Sequence, residues 1–203
     1  MEFTEGKITK RKIPELKSEL RHEMTEQLLR LSAEEIHAAS EVIQQRLLEL
    51  PLWTGARVIG CFMSMPREVQ LKEFIQRCRE AGKKICVPAF QSGEGCYGWA
   101  WLEPGRPVRQ GRWGIDEPAE PQWVHVSELD MAIVPGVAFD RKGHRLGHGA
   151  GFLDRLLAGG SAFMAGVAFE IQILEAVPAE KHDVAVDAVI TEKDRYPLRH
   201  NRA

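Results

Sequence analysis

The sequence predicts an α/β fold, a three-layer sandwich in which helices cover both faces of a mainly parallel sheet. A continuous apolar run at 58–63 is of strand length and typical of a strand covered on both faces. A helical pattern at 71–78 follows it and leads to a second apolar strand at 84–88, which favours a parallel pair. Further buried strands are predicted at 129–134, 163–169 and 188–190.

Two amphipathic helices precede this sheet, and we expect them to pack outside it. Pro14 suits the first turn of a helix, and apolar residues at helical spacing from Leu16 predict that this helix continues to about Leu31. Ser32, with Glu35 three residues later, forms a capping box that predicts the start of the second helix. Pro51 is expected to end that second helix.

The chain has 203 residues, which suits one domain of ordinary size. Its content of 44% hydrophobic and 28% charged residues is typical of a globular protein. We divide it into a basic N-terminal arm at 1–13, expected to be mobile, a single α/β domain at 14–196 and a C-terminal tail at 197–203. Alternating Tyr97, Trp99 and Trp101 predict a short strand inside the domain.

Charge and cysteine content exclude several classes of protein. A net charge of -2 provides no basic field for nucleic acid or an anionic membrane. No apolar run approaches the roughly 20 residues of a membrane helix, and the acidic start is unlike a secretory leader. The four cysteines form no C-x-x-C pair, which argues against a zinc site and suits a reducing cytosol.

A glycine-rich turn carries most of the chemical information. Gly147, Gly149 and Gly151 alternate just before a helical pattern, so the backbone can approach a ligand there and a helix start can attract an anion. Arg145 adds a fork of donors suited to phosphate. Asp154, in the first helical turn, is placed to coordinate a hard cation that also touches phosphate.

This turn is neither the dinucleotide fingerprint G-x-G-x-x-G nor a Walker loop, because no Gly-Lys-Ser/Thr follows. It predicts a phosphate site by its combination of residues. The alternative is a turn that only reverses the chain, with Asp154 favouring the helix start.

Several other sequence blocks accompany the turn in a fixed order. The turn itself spans 135–140, 143–151 and 154–155, and the further blocks lie at 17–21, 62–69, 114–118, 167–172 and 177–191. Together they resemble the 5-formyltetrahydrofolate cyclo-ligase family, over about residues 14–192. Several ordered blocks are far more specific than one glycine-rich turn.

The resemblance implies a cytoplasmic enzyme of one-carbon metabolism, a monomer that depends on ATP and Mg²⁺. Its partners would be ATP and a reduced folate. Such an enzyme converts 5-formyltetrahydrofolate into 5,10-methenyltetrahydrofolate and releases ADP and phosphate. ATP would phosphorylate the formyl oxygen, which is otherwise a poor leaving group, and N10 would then attack.

The resemblance also implies residue roles. The catalytic residues would be Arg145 and Asp154. ATP would be bound by Lys17, Arg21, Arg145, Gly147, His148, Gly149, Ala150, Gly151, Phe152 and Leu153. The folate would be bound by Met63, Glu68 and Phe152, and Mg²⁺ by Asp154 and Asp187.

Each role has a structural alternative. Lys17 and Arg21 are neighbours on one helical face and could be two solvated cations. Glu68 could be an acid that stabilises a helix start, and Met63 a core methionine. Asp187 could be a loop acid before the last strand.

The tryptophans are also ambiguous. Trp99, Trp101 and Trp113 could stack on a flat ligand, or they could cover the edge of the core.

The sequence departs from the family pattern at a few positions. Phe152 and Leu153 replace an aromatic pair, while Ala150 and Leu71 replace other usual residues. Leu153 therefore leaves open a paralogue that binds nucleotide or folate without turnover. A sugar-phosphate isomerase or an acyl transferase on a related scaffold is a further alternative.

Overall fold

The computed structural model describes residues 13–111 and 114–197. Its α-helices are α1 (Ile13–Leu29), α2 (Ala33–Leu48), α3 (Pro51–Gly55), α4 (Lys72–Glu80) and α5 (Phe152–Leu157). Its strands are β1 (Val58–Gly60), β2 (Lys84–Gln91), β3 (Cys96–Trp101), β4 (Val108–Gln110), β5 (Asp116–Pro118), β6 (Trp123–Val124), β7 (Met131–Pro135), β8 (Ala138–Asp140), β9 (Arg145–Leu146), β10 (Phe163–Val167), β11 (Ile173–Leu174), β12 (Ala188–Ile190) and β13 (Arg195–Pro197).

Some predicted features lie outside the described residues. These are positions 1–12 of the N-terminal arm, Trp113, and positions 198–203 of the C-terminal tail. Among the helices that are described, none combines the length and the apolar character needed to cross a membrane.

The main sheet has eight strands in the order β13-β12-β10-β7-β1-β2-β3-β6. Five consecutive strands, from β12 to β2, are parallel, and the flanking strands are antiparallel. The predicted parallel pair is confirmed, since Ile59 of β1 lies opposite Ile85 of β2. Two small sheets, β11-β8-β9 and β4-β5, accompany the main one.

Apolar side chains are buried on both faces of the main sheet, which confirms the three-layer sandwich. On one face Leu47 of α2 and Phe74 of α4 belong to a core cluster with Ile59. On the other, Leu157 of α5 belongs to a cluster with Val134 of β7. Burial of whole apolar side chains on both faces is the main stabilising contribution in such a sandwich.

The N-terminal helices follow the sequence signals with one exception. Ser32 Oγ accepts a hydrogen bond from Glu35 N at 3.1 Å, and Ser32 N donates to Glu35 Oε2 at 2.8 Å, so the capping box is confirmed. The prediction that Pro51 ends the second helix is wrong. The α2 helix ends earlier, and Pro51 opens α3, because its fixed φ and missing N–H suit a first helical turn.

The α1 helix docks on the small sheet through one face. Met24 is buried in a cluster with Leu146 of β9 and with Val177. Lys17 and Arg21 precede Met24 by seven and three positions and share its helical face. The packing of Met24 therefore brings both cations to the β8–β9 hairpin and the turn that follows it.

The strand order reverses at β1. The chain runs from β1 to β2 on one side and later returns to β7 on the other. Ligand sites of open α/β sheets form at such a switch point, outside the carboxyl ends of the strands. Here the segments that leave β1 and β7 carry, respectively, Glu68 and the glycine-rich turn.

Candidate active site

The glycine-rich turn uses its glycines in two different ways. Gly149 has a φ of +100° and Gly151 a φ of +60°, a region in which glycine is favoured. Gly151 is also the N-cap of α5. Gly147 instead allows the side chain of Arg145 to approach the backbone closely, because a Cβ there would lie 2.7 Å from Arg145 Nη1. A positive φ is thus found at two of the three glycines.

Arg145 is buried beside this turn, with 7% of its surface exposed. Its Nη2 donates to Asp154 Oδ1 at 2.7 Å. Its Nε is buried and has no hydrogen-bond partner in the part of the chain that the structure describes. A buried guanidinium with an unused donor favours an anionic ligand, because leaving such a donor unpaired is costly.

Arg21 contacts the turn from α1. Its Nε donates to the carbonyl oxygen of Gly147 at 2.7 Å. Its guanidinium also lies against Gly149, where a Cβ would be 3.4 Å from Arg21 Cζ. The turn is thus in contact with the guanidinium groups of both Arg21 and Arg145.

Lys17 is also buried, at 7% exposure, and it makes two ion pairs. Its Nζ lies 2.6 Å from Asp183 Oδ2 and 3.0 Å from Glu180 Oε2. Burial lowers the pKa of Lys17, but the hydrogen bonds to Asp183 and Glu180 outweigh it and leave the pKa above its usual value. The alternative of two solvated cations therefore does not hold for Lys17.

The two predicted magnesium ligands have different surroundings. Asp154 Oδ1 accepts from Val184 N at 3.1 Å as well as from Arg145, and its side chain is 17% exposed. Asp187 is buried just before β12, where its Oδ2 accepts from Met164 N at 2.8 Å. The structure therefore places Asp154 with the glycine-rich turn and Asp187 at the start of β12.

A group of two acids and one histidine lies at residues 180–183, beside Lys17. Glu180, His182 and Asp183 hold their ligand atoms within 4.8 Å of one another. The ammonium group of Lys17 already forms ion pairs with the two carboxylates of this group. This group is therefore part of the surroundings of Lys17.

Glu68 faces the turn from the segment after β1. Its Oε2 accepts from Met65 N at 2.9 Å, and its Oε1 lies 3.7 Å from His148 Nε2. Because α4 begins only at Lys72, Glu68 belongs to a turn and does not act as a helix-start acid. Met63 is half-buried against the main core, so its packing agrees with the alternative of a core methionine.

Two of the four residues that depart from the family pattern, Phe152 and Leu153, have different surroundings. The ring of Phe152 lies 4.8 Å from that of Tyr97, between centroids. Leu153 is buried in the core beside Leu156, so its side chain is not part of the ligand site. Tyr97 was not assigned to the site from the sequence, where its alternation with Trp99 indicated only a strand.

The tryptophans mostly have structural roles. Trp99 is buried, and its Nε1 donates to the carbonyl oxygen of Leu156 at 3.3 Å, so it belongs to the core. Trp101 is half-buried, with Lys84 Nζ at 5.3 Å from its ring.

The chain matches known proteins over most of its length. A model of the 5-formyltetrahydrofolate cyclo-ligase family matches residues 13–192. A probable 5-formyltetrahydrofolate cyclo-ligase of Caenorhabditis elegans is 31% identical over 195 residues, which are 89% of this chain and 94% of the relative. The 5-formyltetrahydrofolate cyclo-ligase of Haemophilus influenzae is also 31% identical, over 83% of this chain and 93% of the relative.

A solved structure agrees with these relatives. The NMR structure of Aquifex aeolicus 5,10-methenyltetrahydrofolate synthetase superposes with a TM-score of 0.82 at 32% identity, over 93% of this chain and 95% of that one. The protein therefore belongs to the 5-formyltetrahydrofolate cyclo-ligase family and is, as a member of it, a ligase.

Proposed function

We propose that this enzyme uses ATP to cyclise 5-formyltetrahydrofolate to 5,10-methenyltetrahydrofolate and releases ADP and phosphate. The observation that carries the proposal is the contact of two groups with different chemistry. His148 of the glycine-rich turn lies 3.7 Å from Glu68, at the switch point of the sheet. A turn suited to phosphate and a carboxylate suited to a pterin ring thus lie side by side at the carboxyl ends of the strands, where the proposed ligand crevice would form.

The reaction needs activation because a formamide oxygen is a poor leaving group. Transfer of the terminal phosphoryl group of ATP to the formyl oxygen releases ADP and leaves an iminium phosphate. N10 attacks the formyl carbon, loses its proton, and the C–O bond breaks as phosphate departs. Phosphoryl transfer depends mainly on positioning and on neutralising charge.

The ATP phosphates fit the cationic side of the crevice. The buried guanidinium of Arg145 has a free Nε donor among the described groups, and Arg21 lies against the turn. Lys17 supplies a third cation from α1. The backbone of 147–153, including Gly147, Gly149, Ala150, Gly151 and Leu153, would offer its N–H groups to the phosphates.

Mg²⁺ fits beside Asp154. One or two carboxylates together with phosphate oxygens usually hold this ion, and Asp154 is a partly exposed carboxylate next to Arg145. Bound there, Mg²⁺ would supply positive charge to the phosphate oxygens. Asp187 remains the second ligand that the family resemblance implies, although its Oδ2 is bound to Met164 N in this structure.

The folate fits the other side of the crevice. Glu68 is mostly buried and offers carboxylate oxygens to the N–H groups of a pterin ring. Phe152, whose ring packs against that of Tyr97, offers an aromatic surface to the folate. Met63 lies in the same segment after β1 as Glu68. Because Leu153 is in the core, its difference from the family aromatic does not change the contact surface.

The decisive experiment is turnover by the purified protein. We expect ATP, Mg²⁺ and 5-formyltetrahydrofolate together to give the methenyl chromophore, with one ADP formed per folate consumed. Asp154→Ala should remain folded but lose magnesium-dependent turnover, because the carboxylate beside Arg145 is gone. The matched control is Glu175→Ala, an exposed acid of the C-terminal half.

The outcomes separate the alternatives. Binding of ATP or folate without product would select the non-catalytic paralogue. Binding of phosphosugars that ATP does not affect would select an isomerase-type enzyme. Full activity of Asp154→Ala would remove the metal assignment.

A further inference from the structure

A short segment after β11, residues 180–184, connects two parts of the proposed ATP site. Asp183 makes two of the contacts in this segment. Its Oδ2 accepts from Lys17 Nζ at 2.6 Å and from the backbone of Glu180 at 2.7 Å. The next amide, Val184 N, donates to Asp154 Oδ1 at 3.1 Å.

These contacts form a continuous chain between distant elements. Lys17 lies on α1, and Asp154 lies in the first turn of α5, where it also binds Arg145. Asp183 is 166 residues from Lys17 in the sequence. The lysine and the acid of the proposed site are therefore held by two adjacent residues of one segment.

The short distance and the burial show that the Lys17 contact is an ordered ion pair. The side chain of Lys17 is 9% exposed and that of Asp183 is 16% exposed. Burial raises the pKa of Asp183, but the hydrogen bond from Lys17 and the backbone N–H of Glu180 outweigh it and hold the pKa below its usual value. A lysine side chain has many rotamers, so an ordered ammonium requires such a partner.

We propose that Asp183 is a positioning residue for ATP: it fixes the ammonium of Lys17 where it meets the phosphates, in register with Asp154. The inference rests on the proposed function of Lys17. Asp183 does not touch ATP in this account. It removes the cost of ordering the lysine when the nucleotide binds.

A competing electrostatic effect predicts the opposite change in ATP binding. Two carboxylates near a triphosphate repel it and also compete for the ammonium. If competition dominated, removing the charge of Asp183 would tighten ATP binding. If positioning dominates, the same change weakens ATP binding. The direction of the change in affinity therefore distinguishes the two effects.

The test is a double-mutant cycle on Lys17 and Asp183. We compare wild type, Asp183→Asn, Lys17→Met and the double variant, by the KM values for ATP and folate and by calorimetric titration with ATP and Mg²⁺. Asp183→Asn should weaken ATP binding and raise the KM for ATP about tenfold, with the KM for folate unchanged. In the Lys17→Met background the same change should have no further effect.

Two further variants complete the design. Glu175→Gln removes the same charge from an exposed position and should bind ATP as the wild type does. If Asp183→Asn does not fold, Glu180→Gln provides a second cycle, since its carboxylate lies 3.0 Å from Lys17 Nζ and is more exposed.

Three results would overturn the inference. They are tighter ATP binding by Asp183→Asn, an equal loss in both backgrounds, and unchanged ATP binding by Lys17→Met. The last result would also remove Lys17 from the proposed site. A wild type that binds ATP but forms no product would contradict the proposed function alone, and the calorimetric cycle would still decide the role of Asp183.

Discussion

Arg145 shows how a buried charge can indicate a ligand. It has one ion pair, with Asp154, and its buried Nε has no partner among the residues described. Buried charges are usually fully paired, because desolvation is costly. An anion at the glycine-rich turn would complete the hydrogen bonding of this guanidinium.

Replacing Arg145 by lysine tests this interpretation. Lys keeps the charge but loses the planar fork that bonds Asp154 and a phosphate at once. We expect kcat/KM for ATP to fall about 10- to 100-fold, as for loss of a charge-assisted hydrogen bond. Arg109→Lys, at an exposed position of β4, is the control and should behave as wild type. Unchanged kinetics of Arg145→Lys would contradict a direct phosphate contact.

Gly149 allows a separate test of the turn. At a φ of +100° an alanine is strained, and its Cβ would approach the guanidinium of Arg21. Gly149→Ala should lose about 1–3 kcal/mol of unfolding free energy and also raise the KM for ATP. Gly82→Ala carries a similar strain after α4, at a φ of +73°, with open space around it. It should be destabilised without a change in KM, and equal KM effects in both variants would refute a local role.

The glycine-rich turn follows directly after the β8–β9 hairpin, and hydrogen bonds to one acid, Asp140, stabilise this hairpin. Asp140 is 1% exposed and accepts from the backbone N–H groups of Lys142, His144 and Val177, while it also pairs with His144 Nδ1. Burial raises the pKa of Asp140, but these hydrogen bonds outweigh it and hold the pKa below its usual value.

The lowered pKa of Asp140 predicts how the stability of the protein depends on pH. A lowered pKa in the folded protein stabilises it above the unfolded pKa of about 3.9, and the effect is lost as pH falls through the folded value. Asp140→Asn should therefore lower the unfolding free energy by about 2–4 kcal/mol at pH 7, since an amide meets several N–H donors. Denaturant titrations of both proteins should converge as the pH falls below about 4. A constant difference over the whole range would contradict this role of the carboxylate.

The molecule as a whole brings several candidate site residues together at the carboxyl ends of the parallel strands. The segments that leave β1 and β7 lie there, and residues 180–184 contact the second of these segments through the hydrogen bond from Val184 N to Asp154 Oδ1. The opposite edge, at the amino ends of the parallel strands, carries connections such as 159–162 before β10.

Hydrogen exchange can test this arrangement. Addition of ATP and Mg²⁺ should slow the exchange of amides at 147–153 and at 180–184, because nucleotide bound at the proposed site would stabilise both segments against local opening. The connection at 159–162 should exchange at its original rate and serves as the internal control. Protection confined to the amino edge would place the nucleotide elsewhere.

Features that depend on neighbouring residues could be predicted from the amino-acid sequence. The capping box of Ser32 and the turn with Arg145 and Asp154 follow from short motifs, and the parallel strands β1 and β2 follow from one strand-helix-strand unit. Such patterns act through periodicity, backbone preference and side-chain reach, which need no knowledge of the rest of the chain.

The partners of residues far apart in the chain became known only from its three-dimensional packing. Lys17 pairs with Asp183 across 166 positions, Leu153 lies in the core, and β8 and β9 form a second sheet with the distant β11. These three strands have only two or three residues each and were not predicted from the sequence, and an ion pair between distant segments leaves no periodic pattern. Both depend on how α1, α5 and the C-terminal segment pack around the switch point.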